Sequence, residues 1–119
     1  MLRDARAYLS DIIESCVAIA AALKGIDLAA YEASRLIRSS VERECTIIGE
    51  AVSVLSRQAP ALFDSITQAR RIVDFRNQLT HEYPSINDAV VWDIARRDVP
   101  LLRQECAVLI DELGRGASV

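Results

Sequence analysis

Backbone breakers are scarce in this chain of 119 residues: it holds 4 glycines and 3 prolines against 51% hydrophobic residues. That balance excludes a disordered chain and leaves a compact, mostly helical fold. Cysteine is also sparse and odd in number, with Cys16, Cys45 and Cys106 far apart and set mostly in apolar runs. Such spacing argues against a disulfide framework or a zinc cluster and predicts core residues of a cytoplasmic protein. No apolar run approaches the roughly 20 residues that span a bilayer. The opening "MLRDARAYLSD" carries acids where a signal peptide needs an apolar core, so neither export nor membrane insertion is expected. Positive charge is short as well. The net charge is −3 and Lys24 is the only lysine, which excludes a broad basic surface that neutralises many phosphates. Any contact with nucleic acid must be local. Histidine occurs once, as His81.

What is present is helical periodicity. Leu2, Leu9, Ile12, Ile13, Cys16, Ile19, Ala20 and Leu23 recur at three- and four-residue steps, the pattern of a helix with one apolar face. Gly25 ends it, and Asp27 can cap a short following turn. A second long pattern starts near Ser34, with Leu36, Ile37, Val41, Cys45, Ile48, Val52 and Leu55 on its buried side, and closes at Ala59 and Pro60.

After "PALFD", Asp64 or Ser65 can cap a third helix through Ile66, Ala69, Ile72, Val73, Phe75, Arg76 and Leu79. It must end near His81 to Tyr83, because Pro84 disfavours helical geometry in the residue before it. Asn87 can cap a fourth helix containing Val90, Val91, Trp92 and Ile94. Pro100 either kinks that helix or opens a fifth with Leu101, Leu102, Cys106, Leu109, Ile110 and Leu113. The expectation is an all-α, up-and-down bundle of four to five helices. Residues 1–113 form its single domain and 114–119 a flexible tail. So short a chain cannot bury every apolar face, which leaves surface for a partner.

The stretch "RNQLTHEYPS" carries the chemistry. At about 100° per residue Asn77 and His81 are i,i+4 neighbours, and Arg76, Thr80 and Tyr83 form an adjoining line if the helix reaches that far. An arginine, an imidazole, an amide and a phenol can thus converge at one carboxyl end, which favours a cation. Imidazole is the side chain suited to proton transfer near neutrality, and arginine clamps phosphate and stabilises developing charge. Together they fit RNA cleavage without a metal, in which a 2′-hydroxyl attacks the adjacent phosphorus. The same spacing also describes a solvated helix end, and spacing by itself does not decide between them. One histidine without nearby cysteines or an i+4 carboxylate makes no zinc site, so neither a metal nor a cofactor is expected.

Arg76 to Tyr83 matches the R-x-x-x-x-H-x-Y signature, and the chain resembles HEPN-domain toxins of the HepT type. "TIIGEAV", Thr46 to Val52, is similar to that family's second-helix segment. "INDAVVWDIARRDVPLL", Ile86 to Leu102, is similar to the stretch after its motif, so the resemblance covers almost the whole chain in order.

The resemblance implies an all-helical HEPN bundle, usually a homodimer, acting as a ribonuclease toxin of a type VII HEPN/MNT toxin–antitoxin pair. By position, Arg76 and His81 are its catalytic pair, Asn77 the supporting polar residue and Tyr83 the acceptor of AMP. The implied partner is an MNT-type nucleotidyltransferase antitoxin that transfers AMP to that tyrosine, and the implied substrate is RNA. A non-catalytic docking or substrate-binding subunit of a nucleotidyltransferase is the competing reading. Glu82 departs from the family, standing where relatives often have glycine, and sets a carboxylate beside the expected RNA cleft.

Other polar and aromatic residues carry less. Tyr31 and Trp92 lie in apolar patterns and are expected to pack rather than stack on bases. Arg70, Arg71, Arg96 and Arg97 read as surface salt-bridge formers. Glu50 reads equally well as a solvated carboxylate or as a group orienting Arg76. The arginine excess suits phosphate or carboxylate contacts, though a GC-rich genome would leave the same excess.

Overall fold

The computed structural model describes residues 3–81 and 86–117. Among them lie six helices and no strand: α1 (Ala5–Leu23), α2 (Leu28–Ala33), α3 (Arg35–Gln58), α4 (Pro60–Asp64), α5 (Ala69–His81) and α6 (Asp88–Ala117). The all-α bundle expected from the periodicity is therefore observed. The helices beyond four or five are the short α2 and α4, each under two turns.

Side-chain caps set most of the starts. Asp4 accepts the Arg6 amide at 2.8 Å, Asp27 the Ala30 amide at 2.9 Å, Ser34 the Ile37 amide at 3.1 Å and Asn87 the Ala89 amide at 2.9 Å. Each satisfies an amide that has no partner within its own helix. Gly25, at φ 75°, takes the left-handed geometry that ends α1.

The expected cap at Asp64 or Ser65 is corrected by the structure. "PALFD" is itself helical, opened by Pro60 at its first turn, and the Ser65 hydroxyl donates backwards to the Ala61 carbonyl at 3.0 Å. Ile66 to Gln68 form a turn, with Gln68 left-handed at φ 57°, and α5 begins only at Ala69. At Pro100 the helix neither stops nor restarts, so α6 is one element of 30 residues, about 45 Å long. It sets the long dimension of a molecule measuring 51 × 30 × 24 Å. Where a flexible tail was expected from residue 114, α6 continues to Ala117, with Arg115 paired to Asp111 one turn back at 2.8 Å.

The core forms where α1 packs between α3 and α6. Leu9, Ile12, Ile19, Val41, Val52, Leu55 and Cys106 are fully buried there, each large aliphatic side chain contributing roughly 1.5–3 kcal/mol. Tyr31 of α2 is also fully buried, and its ring lies 5.5 Å from that of Trp92, so both pack as expected. Leu36 instead faces solvent, 82% exposed, on the first turn of α3 before any neighbour covers it. No helix among the described residues is long and apolar enough to cross a membrane.

α5 is the outlying helix. It packs chiefly against α3, and only Ala69 and Leu79 are fully buried. Its start is tied to α6 through Thr67, whose amide and hydroxyl both donate to the Glu105 carboxylate, the hydroxyl at 2.6 Å. Beyond that tie α5 and α6 diverge, leaving an apolar groove lined by Ile72 and Phe75 on one wall and Ile94, Leu101 and Leu102 on the other.

Candidate active site

The carboxyl half of α5 carries the chemistry-bearing residues, and the helix presents them on two faces. Arg76 points at α3, half-buried in the seam between the two helices, whereas Asn77 and His81 are exposed. His81 is the last residue of α5. Five residues separate it from Arg76, about 7.5 Å along the axis and 140° around it. Only the length of the arginine can bring its guanidinium towards the imidazole, and among the described residues no hydrogen bond joins the two. Thr80 steadies the intervening turn, its hydroxyl donating to the Arg76 carbonyl at 2.8 Å. Tyr83, the expected AMP acceptor, and Glu82, the expected departure from the family, lie outside the described residues.

The seam that holds Arg76 depends on a glycine that the sequence reading passed over. Gly49 sits buried in the middle of α3, where glycine costs roughly 0.5–1 kcal/mol against alanine. Its position is explained by a close approach. A Cβ placed on Gly49 would stand 2.2 Å from the Arg76 Cβ, 2.6 Å from its Cγ and 3.5 Å from its Cα. The arginine stem therefore lies directly on the α3 backbone. Further out, its Nε is closed off from solvent with no hydrogen-bond partner among the described residues. An isolated glycine inside a helical apolar pattern is the one sequence signal that could have flagged this position.

Glu50, next along α3, is exposed and makes no ion pair with Arg76, so of its two readings the solvated carboxylate is the one seen. The paired arginines act locally. Arg97 pairs with Asp93 at 2.9 Å, Arg96 lies over Trp92, Arg70 lies over Phe63, and Arg71 donates to Gln68.

A second polar cluster stands away from Arg76. The buried Tyr31 hydroxyl has no hydrogen-bond partner among the described residues, and burial, followed by the charges of Glu42 and Asp88, pushes its pKa well up. Burial also raises the Glu42 carboxyl, with Asp88 adding to the rise and Arg38 opposing it. Arg38 in turn pairs with Asp88 at 3.7 Å. The three cysteines are free and buried, and burial lifts each thiol to about 12. Among the described residues no group of three His, Cys, Asp or Glu is placed to hold a metal ion.

A family model described as Ribonuclease HepT-like matches residues 12–109. A relative from Methanocaldococcus jannaschii named "Putative RNase MJ1380" is 32% identical over 107 residues, covering 90% of this chain and 97% of the relative. Another, from Caldanaerobacter subterraneus subsp. tengcongensis and named "Putative RNase TTE0752", is 23% identical over 111 residues, covering 93% of this chain and 98% of the relative. No solved structure gives a significant match.

Proposed function

The chain belongs to the HepT-like ribonuclease family, and from that premise we propose that it is an endoribonuclease toxin that cuts RNA without a metal ion. Arg76 and His81 are its catalytic pair, and Asn77 is the supporting polar group. The observation that carries this reading is the division of labour on α5. A half-buried arginine with no competing carboxylate among the described residues sits one and a half turns from an exposed imidazole at the helix end. An arginine already paired to a carboxylate would be a poor phosphate ligand, and this one makes no ion pair among the described residues.

Cleavage then needs two proton transfers. A base takes the proton from the ribose 2′-hydroxyl, the 2′-oxygen attacks the adjacent phosphorus, and the bond to the 5′-oxygen breaks. That oxygen takes a proton from an acid as it leaves, giving a 2′,3′-cyclic phosphate and a 5′-hydroxyl. Arg76 stabilises the charge that builds on the non-bridging oxygens at the pentacovalent stage.

One histidine per chain cannot be base and acid at once, so the working enzyme is a homodimer in which the partner subunit's His81 fills the second role. The uncovered apolar groove between α5 and α6 and the half-exposed Leu101 and Val108 support a self-association surface on the same side. Control comes from an MNT-type nucleotidyltransferase antitoxin that transfers AMP to Tyr83, setting a bulky anion where the RNA phosphate must enter.

The test is cleavage of a defined RNA by the purified chain in EDTA, with product ends identified by mass. A 2′,3′-cyclic phosphate supports the reading. Intact RNA at every protein concentration would leave the docking-subunit alternative in its place.

A further inference from the structure

We infer that Gly49 is a positioning residue for Arg76: the glycine lets the arginine stem lie on the α3 backbone and so fixes where the guanidinium emerges from the seam. The inference rests on the reading of Arg76 as a catalytic group and adds the residue on which its placement depends. The geometry leaves no slack. To reach ordinary van der Waals contact at 3.4 Å, the Arg76 Cβ would have to retreat by about 1.2 Å from a side chain at position 49. A change of rotamer moves Cγ but not Cβ, whose place the backbone sets, so α5 itself must shift away from α3, and the Nε leaves the pocket that now encloses it. That shift displaces the guanidinium where it leaves the seam, and His81, exposed at the end of the same helix, moves with α5.

A shift of about an ångström in a group aimed at a transition state costs on the order of 100-fold in rate. Gly49→Ala should therefore lower the single-turnover cleavage rate by about that factor at saturating RNA. Its affinity for a 2′-deoxy analogue, which cannot be cut, should change far less. The spectroscopic signature is the Nε–Hε resonance of Arg76, assigned by its loss in Arg76→Ala. It should exchange slowly in the wild type and become fast-exchanging in Gly49→Ala.

A folded Gly49→Ala protein that cuts at the wild-type rate while Arg76→Ala is inactive overturns the inference. Cleavage that survives Arg76→Ala instead overturns the catalytic reading beneath it, and that result needs no change at position 49. If Gly49→Ala does not fold, the Gly49→Ala/Arg76→Gly pair decides, because it removes the opposing Cβ and Cγ and leaves only the Cα at 3.5 Å. Recovery of the fold in the pair supports the contact as the constraint, and failure to recover overturns it.

Discussion

Truncating Arg76 to alanine should separate stability from activity, and the structure allows both sides to be sized. The change removes Cγ and Cδ, two methylenes worth about 0.8 kcal/mol each if fully buried. In a half-buried side chain the loss is roughly 1 kcal/mol. It also removes an Nε–H that is shut away with no partner among the described residues, whose lost hydration costs roughly 1–3 kcal/mol in the native state. These terms oppose each other, and the Cβ that touches α3 stays in place. The net change should lie between about zero and 2 kcal/mol in favour of the variant, which for a domain of this size raises Tm by no more than about 8 °C. Catalysis has no such compensation. Removing a charged donor from the developing phosphorane should cost about 10²–10³ in rate, or roughly 2.7–4 kcal/mol of barrier. Melting followed by circular dichroism, set beside single-turnover cleavage of one RNA, measures both. A fall in Tm beyond about 8 °C would make Arg76 a structural residue, and a rate within about tenfold of wild type would remove it from the transition state.

His81→Ala, at an exposed helix end, should leave Tm unchanged and slow cleavage by about 10²–10⁴, with EDTA having no effect on the wild-type rate; cleavage that stops in EDTA and returns with magnesium would move the chemistry elsewhere. With thiols lifted to about 12 and buried, the native chain should resist iodoacetamide at pH 8 and take up three adducts once unfolded, counted by intact mass. Glu42 sits above its ordinary 4.5, so its ionisation opposes folding: the penalty is absent where both states are protonated, grows as pH rises through 4.5, and is complete above the folded value. Glu42→Gln should accordingly melt higher than wild type at pH 7, with the two curves meeting below about pH 4. Co-expression with the cognate nucleotidyltransferase should add an AMP-sized increment to the wild type and none to Tyr83→Phe; an increment that persists in the variant would place the modification elsewhere.

The sequence disclosed most where the signal is local. Asp27, Ser34 and Asn87 each satisfy amides two or three residues away, and such caps can be read without a partner element. The same reasoning failed at Asp64 and Ser65 because Pro60 starts a helix of its own, and because the chain turns into α5 through a left-handed glutamine that no side-chain pattern announces. Leu36 fits the three-to-four spacing yet lies in solvent: periodicity says which side of a helix is apolar, not how far along it the neighbours reach. The site divides likewise. The spacing of Arg76 and His81 set them near one helix end, but the inward turn of the arginine is decided by α3. Gly49 was visible as a letter, while its contact, 27 residues downstream, exists only once α3 and α5 cross.

The way α5 is held links the parts of the proposed mechanism. One side of the helix lies on α3 through the contact between Gly49 and Arg76, and the turn that leads into it is tied to α6 through Thr67 and Glu105. Between those attachments two of its apolar residues, Ile72 and Phe75, line the open groove. A helix fixed on one side supplies a rigid arginine and an exposed imidazole, but the chain has a single histidine and leaves an unfilled apolar wall. A second copy seated on that wall would bury the apolar surface and bring the missing imidazole in the same step. Self-association would then be both a packing requirement and a catalytic one, and a charge placed in the groove at Phe75 should cost dimer and activity together, although Phe75 itself touches no substrate.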